Sequence, residues 1–178
     1  MKYIKEIHIW LLMVVLLLSC HSKEEDNSRP DSIELTENEI WNPVIILSRE
    51  EDKIVDARSE KLYKKTNADA LLVGNVEVDF FNDEGQHISI LYSDSAWINE
   101  KNNNLRANGN VYVVSDSGYT LTTREILWDN RYKMIMAEDS VMFTTTKGDT
   151  LHGVGFESDM DLEQWKIFRI FGVTRVGI

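Results

Sequence analysis

Between Gly74 and Ala137 the chain runs twice through one pattern, and a repeat decides the architecture before any other signal is weighed. The first copy has Gly74-Asn75-Val76-Glu77-Val78, then Asp83-Glu84-Gly85, Ser95-Ala96-Trp97 and Leu105-Arg106-Ala107. The second has Gly109-Asn110-Val111-Tyr112-Val113, then Asp116-Ser117-Gly118, Leu127-Trp128-Asp129 and Ile135-Met136-Ala137, so a shift of 35 residues superposes the openings. A third copy follows at a shift of 30, with Ser140-Val141-Met142-Phe143, Lys147-Gly148-Asp149 and Leu151.

Each copy is punctuated like a β-meander. Val76, Val78 and Phe80 alternate with Glu77 and Asp79, which is the period of a half-buried strand. Asp83-Glu84-Gly85 and Asp116-Ser117-Gly118 supply hairpin turns in which glycine takes positive φ. A second strand over 88–92 or 119–127, and a third ending at Ala107 or Ala137, predict a unit of about three strands that must stack on the next to bury its apolar face. Val76, Val78, Val111, Val113, Val141 and Phe143 hold matching places and Phe80 continues the alternation of the first copy, so all seven are expected on one side. Trp97 and Trp128 also occupy matching places and are expected in the core.

On either side of the repeats the signals are shorter. Thr36-Glu37-Asn38-Glu39 has capping-box spacing and predicts a short helix through Trp41. Val44 to Leu47 and Ile54 to Leu62, turning at 50–53, predict a hairpin. After a turn at 160–163, a last strand from Trp165 to Val176 carries Ile170, Phe171, Val173 and Val176, and is expected to be an edge with unpaired backbone groups open to another chain.

The N-terminus reads differently. Lys2 and Lys5 precede the apolar run Ile7 to Leu18, twelve residues against the ~20 that span a bilayer as a helix. Leu17-Leu18-Ser19-Cys20 then has the form of a lipobox, so residues 1–19 are expected to be a lipoprotein signal and Cys20 the site of lipid attachment. Residues 20–40 are polar and acidic, with Lys23-Glu24-Glu25-Asp26 directly after the cysteine, and predict a flexible tether; 41–178 form one domain. Cys20 is the only cysteine, which leaves no disulfide and no cysteine metal site.

Charge and chemistry narrow the function classes. The whole chain carries −11; without residues 1–19 it has 17 basic and 29 acidic residues, a balance against a nucleic-acid partner. Only His87 and His152 lie in the domain, with no zinc-binding motif, nucleophile elbow or phosphate loop. No cofactor, metal site or catalytic residue is expected.

Taken together, the Gly-Asn-Val openings, the Gly turns and the Trp-Asp strand end resemble the repeats of the lipopolysaccharide-transport β-jellyroll proteins, and the layout is most similar to the LptC family. Ala107-Asn108-Gly109-Asn110-Val111 followed by Leu127-Trp128-Asp129 carries most of that resemblance, which runs from Trp41 to Ile178. It implies an all-β, twisted and partly open jellyroll, not an enzyme, whose apolar groove passes lipopolysaccharide acyl chains. It also implies inner-membrane ABC exporter subunits and a soluble periplasmic jellyroll as partners, with the protein periplasmic and anchored to the inner membrane. The acidic stretch after Cys20 leaves the outer membrane or cell surface open. A lipoprotein scaffold with a packed, ligand-free core is the alternative from another class.

Overall fold

In the computed structural model, residues 38–49, 51–64 and 69–175 are described. The signal sequence, Cys20, the tether as far as residue 37, and Val176 lie outside the described residues. Eleven strands follow in order: β1 (Asn38–Trp41), β2 (Val44–Arg49), β3 (Asp52–Arg58), β4 (Lys61–Lys64), β5 (Ala70–Phe81), β6 (His87–Ile98), β7 (Leu105–Ser115), β8 (Thr120–Asp129), β9 (Met134–Thr144), β10 (Thr150–Asp159) and β11 (Trp165–Thr174). They make one antiparallel sheet in which β4 to β11 lie in sequence order, each paired with the next, while β3 joins β5 and carries β2, and β4 carries β1.

The repeat is two long strands, where three short ones were expected. Gly74-Asn75 and Gly109-Asn110 stand inside β5 and β7 as bulges, with φ of 80° and 43° in one and 78° and 46° in the other. An L-residue with a full side chain resists that left-handed region, whereas glycine and asparagine accept it. The pairing register shifts at the same level across the sheet, between Val73 and Val76, Tyr92 and Ser95, Asn108 and Val111, Thr122 and Leu127, and Val154 and Phe156. These shifts form one crease, and the sheet folds along it into two facing walls.

Distances show the folding. Phe143 lies across from Leu151, and Phe156 is five residues further along the same strand, about 17 Å if β10 were straight. The two rings are 5.2 Å apart between centroids. Phe143 is also 4.7 Å from Trp165, and Phe80 of the first wall is 5.4 Å from Trp128 of the second. The core therefore lies between the walls, with the hairpin loops of each wall forming two rims along the side opposite the crease.

Two expectations are corrected. Asn38–Trp41 is a strand paired with Lys61–Lys64, and no helix occurs among the described residues. Four residues with Ile40 and Trp41 at their end gain more from ladder bonds than from one capped turn, for helix nucleation is costly. Trp97 is 46% exposed while Trp128 is buried. In register, Trp128 follows Ile98 and Leu105, not Trp97, so the two tryptophans are one residue out of phase and face opposite sides.

Candidate functional site

The interior of the first wall is one ladder. Ile45 pairs with Ala57, Ala57 with Val78, and the row continues through Leu91, Val113, Leu121, Phe143 and Leu151 to Val173. No polar residue interrupts it from one edge of the sheet to the other. Exposure is nil from Ala57 to Phe143, and it rises at both ends, to half-buried Ile45 and Leu151 and to 52% at Val173.

All seven valine and phenylalanine positions expected on one side are there. Val76, Val78, Phe80, Val111, Val113, Val141 and Phe143 are at most 3% exposed. Tyr112, next to Val113, faces outward and stacks on Tyr92 at 6.5 Å. The even-strand members Leu91, Leu121 and Leu151 were missed; alternation in 88–92 and 119–127 carried the signal for the first two. Three large aromatic contacts fill the space between the walls, so in this state the interior is packed.

In its described part β11 is an edge of the sheet. It pairs with β10 alone, and Ile170, Phe171 and Val173 are exposed, with Phe168 beside them. From Phe168 to Val173 both faces of the strand meet solvent, so this end is apolar as well as unpaired. The opposite end carries β1 and β2, with Ile40, Trp41, Val44 and Ile46 exposed.

Opposite the crease, the rims touch. Lys133 donates to both carboxylate oxygens of Asp83 at 2.5 and 2.6 Å, and this hydrogen bond holds the Asp83 carboxyl below its ordinary range. Arg49 donates to the backbone and side-chain oxygens of Asn130 at 2.7 and 2.9 Å. Ser117 donates to Glu163 at 3.0 Å. In the same loop as Glu163, burial and then the hydrogen bond with Asp159 push Asp161 up to about 6.

Outside, the chemistry is that of ion pairs. Arg58 reaches Asp79 at 2.7 Å and Asp56 at 2.9 Å, and His87 sits with Nδ1 2.9 Å from Asp116 and Nε2 3.2 Å from Asp79. A shallow hollow of about 470 Å³ on the outer side of the crease is lined by Asn108, Gly109, Asn110, Arg124, Glu125 and Asp139. Its charged lining residues are paired, Arg124 with Asp139 inside the hollow and Glu125 with Arg106 beyond it. None of this touches the apolar interior.

A protein-family model described as "Lipopolysaccharide-assembly, LptC-related" matches residues 8–169. No curated protein matches the chain.

Proposed function

The chain belongs to the LptC-related family of lipopolysaccharide-assembly proteins, and from that membership we propose that it is a non-enzymatic transport component working in the periplasm. Its jellyroll passes the acyl chains of lipopolysaccharide from an inner-membrane ABC exporter to a soluble periplasmic jellyroll of the same fold. The observation that carries this reading is the uninterrupted ladder from Ile45 to Val173, which runs the full width of the sheet and reaches solvent at each end. A row of aliphatic and aromatic side chains attracts an acyl chain by about 25 cal/mol per Å² without fixing its position. Such an attraction suits passage better than capture.

Retention at the membrane follows from Cys20, with two or three acyl chains on the cysteine and the tether ending at residue 37, since Asn38–Trp41 is strand β1. Metabolic labelling is expected to place fatty acid on the wild type and none on Cys20→Ala. Unlabelled wild-type protein would remove the anchor from this reading.

The packed interior favours a second reading, a scaffold whose core holds no ligand. One experiment separates the two. A compact diazirine-bearing aliphatic side chain at Val113, where a bulky probe would overpack the core, is expected to capture lipopolysaccharide in cells. The same probe at Tyr112, on the outer face, is expected to capture none. Equal capture at both positions points to surface adhesion, and capture at neither supports the scaffold.

A further inference from the structure

The β10–β11 loop is built unlike the other described loops of its rim, at 99–104 and 130–133. Turn loops are polar, yet this one puts Met160 and Leu162 into the interior at 7% and 0% exposure. The Met160 carbonyl accepts from Ser89 of the opposite wall at 2.5 Å, and its sulfur accepts from the Trp128 indole N–H at 3.1 Å. Leu162 has φ of 60°, a left-handed conformation rare for a bulky side chain. Such strain persists only where the surroundings enforce it, and it collects at sites that switch. Just outside, Glu163 accepts from Ser117 across the rims.

We propose that the β10–β11 loop is a displaceable plug: Met160 and Leu162 occupy, in the empty domain, the space that an acyl chain takes in the loaded one. The inference rests on the transport reading above. The ladder supplies the path but is closed by packing, so something between the walls has to leave when a chain arrives. A loop end can swing out without breaking the sheet, whereas the wall residues cannot. Leaving relaxes the strain at Leu162, and an arriving acyl chain replaces the contacts that Met160 and Leu162 give up. The Ser117–Glu163, Lys133–Asp83 and Arg49–Asn130 contacts then act as a latch along the mouth.

The test uses the full-length chain with the diazirine probe at Val113, in cells. Ser117→Cys and Glu163→Cys, joined by a short cleavable bismaleimide, fix the plug in place. Because apparent affinity scales with the fraction of molecules able to bind, capture is expected to fall by about ten-fold or more, and to return when the linker is cleaved. Leu162→Gly, which removes the side chain and accepts positive φ, is expected to raise capture. Undiminished capture by the tethered protein, with the wild type capturing normally, overturns the plug and leaves the transport reading standing. Reduced capture by Leu162→Gly in a protein that retains its sheet circular dichroism also overturns it. Absence of capture by the wild type itself overturns both.

Discussion

Phe143→Ala is expected to destabilise the domain by about 3–5 kcal/mol, the usual cost of deleting a buried aromatic ring whose cavity cannot collapse. The ring has no exposure, and it stands 5.8 Å from Tyr119, 5.2 Å from Phe156 and 4.7 Å from Trp165. Two of those neighbours belong to the second wall, so the alanine removes packing from both sides of the core. Against a total stability of about 5–15 kcal/mol, that loss is a large share. Urea unfolding measures it, with Tyr132→Ala, 66% exposed, as the surface comparison expected within about 0.5 kcal/mol of wild type. If the two variants prove alike, the walls are not in contact in solution and the packed interior is not the resting state.

The other large effect is expected in binding. Successive backbone N–H groups along a strand point to opposite neighbours, so of Gly172→Pro and Val173→Pro one removes a donor on the uncovered side of β11. That variant should lose binding to a soluble jellyroll partner by about ten-fold or more, since strand addition takes its affinity from main-chain bonds. Ile170, Phe171 and Val173 are exposed beside it, and a partner strand would cover part of that apolar surface. The sheet's circular dichroism should persist, because the change lies at the end of the last strand. Wild-type affinity in both variants would move the docking edge to β1 and β2, where Trp41 and Ile46 are exposed.

How much of this was legible follows from the range of each signal. Alternation is local, so Val76 to Phe143 could be placed on one face with no knowledge of the fold. The crease was not legible: Gly109-Asn110 reads equally well as the start of a strand or as a bulge within one, and only the register of the neighbouring strands decides. The core placement held for Trp128 and failed for Trp97, for a related reason. A repeated motif tolerates a shift of one residue, but a sheet does not, since one step reverses the face. The rim contacts join residues as far apart as Arg49 and Asn130, and nothing in the composition of two polar loops announces that they meet. The plug did leave a trace in Met160 and Leu162, apolar residues within a segment otherwise read as a turn.

The crease has a further consequence, for the accuracy of folding. A strand that slid one residue along its neighbour would turn its interior side chains in both walls outward at once. A slide of two residues keeps the faces but carries Gly74-Asn75 out of line with the bends of β6 and β7. The fold line would then cross β5 at Val73 or Val76, β-branched residues that resist positive φ. Odd errors are rejected by solvation and even errors by backbone sterics, so strands of ten to twelve residues, long enough to mispair in many ways, are left with one alignment.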